Sequence, residues 1–592
     1  MRERGSSTRH PVTNKKEGIK YGMENELLLL AGILSGLCSV LSFCSSPHKK
    51  IKKTVLIFWC LSASLVVSAA VWMVILQISC KFEYQYVYSH ISMDMAPVYK
   101  ISALWSGQEG SFLLWALIMG IMGFFVLQMQ VTRKNQVFGI YSAISFCVYL
   151  MCFFVRPFEQ MTPLSPDGLG LSEALKDPWM VIHPPLVFVS YSALAVLFSL
   201  SATISKNGGR DSADRILTWL RMSWIFLGLG IFTGSIWAYR ALGWGGYWAW
   251  DPIENAALVP WLILCGYLHR RKYDEYSVCI VPFSIACFGV FLVRSGILKD
   301  QSAHAYTDGN AVITGTILCF ILGAILFLTF IKIRKAKNRK NTDRAILSGG
   351  RQVFYIINGY AALIFIGTVG PMILNTETPT AYYTAVSSAF TLAYSILLLL
   401  GDLQWLKRRS ILMIVISTML LIGIMAFCGS NQLWWLILLW ICLMPLSLWL
   451  AAGFSRKWSY YLPHLGVLLL MIGAIGSSAL GEEAFTIANP GNSQIMIEGV
   501  DIPLSELSQR DILIKSLPSE DIVIKYSQRS TLPNGGALIP YETKPLIFLF
   551  WIGGFSVIIV PFIFILSDWF HKPKQSTLFE DLADDKLKAV FL

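Results

Sequence analysis

The sequence predicts an all-α polytopic membrane protein of about fifteen transmembrane helices, with a small β-rich extracytoplasmic domain near its C-terminus. Three observations predict it. Of 592 residues, 55% are hydrophobic and 14% charged, and mean hydropathy is +0.57, a balance that water-soluble domains rarely reach. Apolar windows of about 20 residues, enough to cross ~30 Å of hydrocarbon, recur from Leu27 to Leu566 between short polar loops. From Gly481 to Tyr541 the chain turns polar, with alternating runs QIMIEGV, DILIKSL and DIVIKYS and a turn signal at Pro533, Asn534 and Gly535.

Each span takes its direction from the loops. A formal charge of +12 would suggest nucleic acid for a soluble protein, but here the basic residues lie in short loops, which excludes that partner. The basic set comprises Lys49 to Lys53, Arg133 with Lys134, Lys206 to Arg221, Arg270 to Lys272, Arg334 to Arg351, Lys407 to Arg409, and Arg456 with Lys457. Short cytoplasmic loops carry excess Lys and Arg. Outside therefore lie four long connections, Cys80 to Gly110, Arg156 to Pro185, Ala241 to Asn255 and Ser295 to Asn310, together with the N-terminus. The basic arm 1–22 conflicts with that placement, so Met23 is a candidate start; no short apolar core makes the arm a signal peptide. The expected organisation is the arm 1–22, a transmembrane core 23–480, an outer β-rich domain 481–544, and a last span with a cytoplasmic tail 545–592. Twelve cysteines occur without any Cys-x-x-Cys, so thiol chemistry must come from a partner.

Eight histidines can be weighed singly. His10, His48 and His571 lie in the arm or in charge clusters, and His90 in an outer loop, where solvation is the plain reading. His269 ends one inward span and His464 opens an outward one, so both fall in the inner leaflet. Two imidazoles at matching depth can clamp one iron, although interfacial polar residues are equally compatible with the pattern. His183 stands in VIHPPL, where Pro184 and Pro185 suit the opening turn of a helix, and His304 lies in the outer loop KDQSAHAYTDG. Judged alone, these two are surface histidines.

The segment between them changes their weight. WGGYWAWDPIENAALVPWL places Trp244, Tyr247, Trp248 and Trp250 in a loop hinged on Gly245 and Gly246. An interfacial aromatic belt needs no such clustering, whereas a flat, polarisable ligand does, since rings cover it face-on and glycines let backbone approach. A porphyrin fits. Asp251, Pro252 and Glu254 read as N-cap, N1 and N3 of the next helix, which favours capping over acid-base work. Pro260 is expected to kink the span and turn Trp261 to the outer leaflet. A second island, YKISALWSGQEGSFLLWAL, offers Trp105, Gln108 and Glu109 to the same cavity, or else anchors a helix. Arg240 and Arg294 are candidates for propionates or for headgroups.

WGGYWAWDPIENAALVPWL, WSGQEGSFLLW, DPWMVIHPPL, FLVRSGILKDQSAHA and LPHLGV, in that order, resemble the haem-handling proteins of cytochrome c biogenesis, specifically the CcmF and NrfE haem lyase subunits. The resemblance spans nearly everything after Met23. It implies that His183 and His304 are axial ligands of haem presented outside on the loop Trp244 to Asn255, the WWD motif. It further implies that His269 and His464 hold a permanent haem b in the membrane. Tyr247 stands where the family usually has tryptophan, and the outer domain is short for the family. The implied activity is thioether attachment of haem to Cys-x-x-Cys-His of apocytochrome c, at the periplasmic face of a bacterial inner membrane. Implied partners are apocytochrome c, a CcmE-like haem chaperone and a CcmH-like thiol-handling protein, with quinol as a candidate reductant. A haem exporter or a b-type electron-transfer cytochrome are the alternatives; no Gly-x-x-x-x-Gly-Lys loop is present to drive export.

Overall fold

The computed structural model describes residues 20–21, 24–44, 49–131, 133–162, 166–203, 210–242, 246–269, 280–294, 349–374, 376, 379–403, 433–451, 458–507, 512–533 and 535–570. Sequence of this hydropathy meets its backbone hydrogen bonds within helices, since hydrocarbon offers none. In chain order the helices are α1 (Glu24–Cys44), α2 (Lys49–Ile78), α3 (Gln85–His90), α4 (Pro97–Ser102), α5 (Gln108–Gln128) and α6 (Lys134–Val155). There follow α7 (Pro178–Thr203), α8 (Arg210–Trp237), α9 (Pro252–Leu268) and α10 (Val281–Arg294). The last are α11 (Gly349–Leu374), α12 (Thr380–Leu403), α13 (Leu433–Ala451), α14 (Trp458–Ala479) and, after the strands, α15 (Ile547–Phe570). Among the described residues, 10 helices are long and apolar enough to cross a membrane, with α9 and α10 as shorter apolar helices. α13 is apolar nearly throughout. Two further expected spans fall within 301–348 and 404–432, outside the described residues.

Small residues set the packing. α1, α2, α5 and α6 form one bundle, closed by Ser62 donating to the Ala31 carbonyl at 2.7 Å and Ser35 to that of Ser142 at 2.9 Å. α7 lies along α8, α9 touches α8, α10 and α11, and α14 lies along α15. That last crossing requires glycine: a Cβ on Gly553 would meet the Leu470 nitrogen at 2.3 Å, and one on Gly473 the Phe550 nitrogen at 2.2 Å.

Two short strands, β1 (Lys20–Tyr21) and β2 (Glu159–Gln160), pair antiparallel, and between α14 and α15 the polar stretch forms more, all antiparallel: β3 (Glu483–Ala488), β4 (Gln494–Ile497), β5 (Val500–Pro503), β6 (Leu513–Ser516), β7 (Glu520–Ile524), β8 (Ser530–Thr531) and β9 (Ala537–Pro545). The sheet order is β3-β9-β7-β6 with β8 also on β9, while β4 and β5 make a separate hairpin. Its two-residue turn has positive φ at Glu498 (47°) and Gly499 (76°), the twist that suits a tight hairpin. One sheet face buries Ile522, Ile524 and Ile539 against Ile495 and Ile502. The other meets the helices through Val523 and Asp521, and the Tyr239 hydroxyl bonds Asp521 at 3.0 Å. The sheet thereby rests on the end of α8 from which the aromatic loop departs.

Candidate functional site

α8 leaves its α geometry at Ala238, makes a π turn through Leu242, and the chain reappears at Gly246 with φ 67°. Trp244 and Gly245 lie outside the described residues. Tyr247 packs on Phe550 at 4.2 Å between centroids, Trp248 sets its edge to Trp250 at 6.1 Å, and Trp250 stacks flat on Tyr383 at 4.8 Å and 3°. Trp250 has φ 57°, a conformation that costs a bulky residue roughly 1–3 kcal/mol and that the surrounding contacts must hold. The next residue anchors the loop. Asp251 accepts from the Ile253 nitrogen at 2.7 Å, and Glu254 accepts from Asp251 at 3.2 Å and Ala249 at 2.9 Å, a complete capping box on α9.

Beneath the loop lies a cavity of about 930 Å³, walled by α8, α9, α11, α12, α13, α14 and α15. Its end at the loop is Tyr247, Trp248 and Trp250; its far end carries His269 and His464. Both imidazoles are buried, with ring centroids 6.3 Å apart and planes at 83°. The His269 Nδ1 lies 2.8 Å from the Cys265 carbonyl, which can only accept, so Nδ1 carries the proton and Nε2 is the nitrogen with ligand character. At a metal–imidazole distance of about 2.0 Å, rings on opposite sides of one metal have centroids roughly 6.4 Å apart. The spacing is compatible with two imidazoles sharing one metal, and equally with an edge-to-face ring contact. Trp261 differs from expectation: it lines this cavity, stacks on Trp224 at 5.6 Å and 9°, and donates Nε1 to the Trp224 carbonyl at 3.1 Å. An indole N–H buried beside α8 finds its acceptor there, which the outer leaflet would not supply.

His183 is not among the residues lining the cavity. It stacks on Trp237 at 6.4 Å and its Nδ1 lies 2.7 Å from the Gly230 carbonyl, so it too is the Nδ1–H tautomer. Gly234 admits this contact, since a Cβ there would fall 2.7 Å from the ring. The expected helix start at Pro184 is corrected. α7 begins at Pro178, capped by Asp177 Oδ1 accepting from Trp179 at 2.9 Å, and Pro184 and Pro185 lie inside it. Asp177-Pro178 thus repeats the Asp251-Pro252 cap, and His183 sits a turn and a half into the helix. Arg240 reaches back to Asp177 Oδ2 at 3.2 Å, pairing with the same carboxylate. His304 and the side chain of Arg294 lie outside the described residues.

The second aromatic island is scaffold. Pro184 lacks the N–H that the Met180 carbonyl would receive, and Trp105 Nε1 supplies one at 3.2 Å. Tyr86 donates to the Ala103 carbonyl at 2.7 Å and stacks on His90 at 4.2 Å, while a Cβ on Gly107 would strike His90 at 2.6 Å. None of Trp105, Gln108 and Glu109 lines the cavity. His90 is correspondingly no solvated loop residue: it is half-buried and burial lowers its pKa. Sequence reasoning passed over the opposite cavity wall, Thr368 on α11 and Tyr383, Ser387 and Thr391 on α12. The signal was present as hydroxyls every three or four residues in TAYYTAVSSAFTLAYS.

Residues 105–298 match the family model described as cytochrome C assembly protein. The chain is 29% identical to the cytochrome c-type biogenesis protein NrfE of Haemophilus influenzae over 70% of its length and 72% of the relative's. It is 28% identical to CcmF of Escherichia coli over 73% of its length and 72% of the relative's. The solved structure of the cytochrome c haem lyase CcmF superposes with TM-score 0.66 at 18% identity, covering 91% of this chain and 96% of that one, and so shares its fold. With the assembly-family match spanning the aromatic loop, and relatives of both kinds aligned over most of the chain, this protein is similar to the CcmF and NrfE cytochrome c-type biogenesis proteins and shares the fold of CcmF.

Proposed function

We propose that this chain is the haem lyase subunit of a cytochrome c maturation complex in a bacterial inner membrane, working at the periplasmic face. The observation that carries the reading is the pair of buried imidazoles at one end of a cavity whose other end is the aromatic loop. His269 and His464 would hold a resident haem b, which when bound supplies one-electron chemistry. Their part would be to hold the iron, with the Cys265 carbonyl setting the tautomer of His269.

The substrate haem is held outside by His183, by His304, and by the rings of Trp244, Tyr247, Trp248 and Trp250. The reaction adds each S–H of a Cys-x-x-Cys-His segment across a vinyl group, so no atom leaves and no general acid of this chain is needed. Positioning is then the protein's contribution, through axial imidazoles and ring faces that keep the macrocycle still while a partner presents reduced thiols. A CcmE-like chaperone delivers the haem, a CcmH-like partner handles the thiols, and quinol is the proposed reductant.

Purified protein is expected to show a b-type spectrum that His269→Ala or His464→Ala removes. His183→Ala or His304→Ala should abolish cytochrome c maturation and spare that spectrum. Normal holocytochrome c in a His183→Ala strain sinks the proposal. The continuity of the cavity between both levels favours transport as the second reading, which predicts lost haem efflux instead.

A further inference from the structure

The wall facing the aromatic rings carries a run of hydroxyls, interrupted by Phe390, and no role in holding haem accounts for it. On α12, Thr380, Tyr383, Thr384, Ser387, Ser388 and Thr391 all line the cavity, and Tyr394 follows. Spacings of three and four place them on one helix face. They run about 21 Å along the axis from Thr380 to Tyr394. Thr380 is exposed, Thr384 and Ser387 are half-buried, and Tyr383, Ser388, Thr391 and Tyr394 are buried, so the exposed member lies at the loop-bearing end. Tyr394 packs in one cluster with Tyr461, close along α14 to His464. The hydroxyl file thus leads from the outer mouth to the depth of the histidine pair.

Its chemistry identifies the occupant. Neighbouring side chains on one helix face stand about 5–6 Å apart. Two hydrogen bonds of about 2.8 Å in series span that gap, leaving room for one water per step. Across the wall some hydroxyls bond each other directly: Thr368 meets Tyr383 at 3.3 Å, and Tyr360 meets Ser387 at 3.0 Å. Two buried polar atoms at the outer half lack any partner among the described residues, Trp248 Nε1 and Asn255 Oδ1. Asn255 itself donates to Thr368 at 3.1 Å, so its unmet oxygen adjoins the file. A donor and an acceptor left unmet beside a roomy polar wall call for water. Among the described lining residues no Lys or Arg occurs, and the one carboxylate, Asp251, caps α9. A wall of hydroxyls without fixed countercharge suits water and the protons it relays, and offers a fixed ion nothing to pair with.

We propose that the hydroxyl face of α12 lines a file of water, open on the loop-bearing side and reaching the level of His269 and His464. The file gives protons access to the buried pair from that side only. It stands on the cavity wall and not on the haem reading.

Single cysteines in the full-length, haem-loaded chain in sealed membranes test it, using a cationic methanethiosulfonate that does not cross bilayers, with the parent as blank. Ser387→Cys and Thr391→Cys should be modified from the outer side at least about tenfold faster than Ala385→Cys and Ala389→Cys on the other faces of α12, because a fixed charge is excluded from hydrocarbon. Thr380→Cys, at the mouth, reports that the variant is folded and oriented. Adding Thr384→Leu to Thr391→Cys should slow modification at 391 about tenfold by plugging the file. Equal rates on the two faces, or modification of Ser387→Cys and Thr391→Cys only from the inner side, overturn the proposal. A parent chain with no b-type spectrum, but with the same pattern of accessibility, would tell against the haem reading alone.

Discussion

Asp251 separates two uses of a carboxylate that one sequence position cannot distinguish. Its oxygen receives the Ile253 amide and Glu254 returns the bond, so the group works as an acceptor and not as a proton carrier. Asp251→Asn keeps an acceptor and should retain near-parental stability and maturation, whereas Asp251→Ala should lose about 0.5–2 kcal/mol. Thermal unfolding in detergent reads the difference, and asparagine as damaging as alanine would contradict the capping role. His90 gives a pH effect. Burial against Tyr86 lowers its pKa, so the folded state keeps it neutral while the unfolded chain protonates near its ordinary value of about 6.5. Its stabilisation is complete above that value and declines as pH falls below it. His90→Gln should flatten the pH dependence of unfolding between about pH 7 and 5. Trp250, with positive φ and a flat stack on Tyr383, was legible as aromatic but not as strained, because strain belongs to a backbone held by distant partners.

At the scale of elements, α7 shows how local signals mislead when two compete. Asp177-Pro178 and Pro184-Pro185 both resemble helix starts, and the former is the start. An interior proline is tolerated where another group takes the freed carbonyl, and Trp105 Nε1 does so at Met180. Trp105→Phe keeps the ring and removes the donor. It should cost about 1–3 kcal/mol, read as a lower unfolding midpoint, with the b-type spectrum of the folded fraction unchanged. An unshifted midpoint would mean that the carbonyl finds another donor. α9, by contrast, was legible to its first residue, since its cap, its proline and its glutamate fall within four residues of the chain and need no partner from elsewhere.

In the whole molecule the outer sheet and the membrane helices are joined at one point of note, the bond from Tyr239 to Asp521. That bond ties β7 to the helix end from which the aromatic loop leaves, and Tyr247 packs on Phe550 of the helix that follows the sheet. Asp521→Ala should loosen the sheet first: limited proteolysis from the outer side should cut between 483 and 545 several-fold faster while the b-type spectrum persists. Equal cutting rates would show that the apolar contact at Val523 suffices. Within the sheet, burial would raise the Glu542 carboxyl, but bonds and charges from Lys525 and Lys544 outweigh it and hold it below the usual range. A depressed carboxyl stabilises above its ordinary pKa and stops doing so as pH falls through the folded value. Amide exchange along β9 should therefore accelerate in acid, and Glu542→Gln should remove that dependence.

The sequence by itself determined the membrane class, the aromatic hinge and the cap behind it, because hydropathy, glycine hinges and capping are properties of neighbouring residues. Tertiary structure alone decided that one cavity runs from Trp250 to His464 and that Trp261 turns inward, and it alone opposed a wall of α12 hydroxyls to the tryptophans. It also made the second aromatic island a brace for a proline gap. Each of these depends on helices far apart in sequence meeting in space. Apolar sequence specifies that helices pack, but in a bilayer the choice of partner rests on small residues and single hydrogen bonds, whose meaning appears only once both sides of the contact are in place.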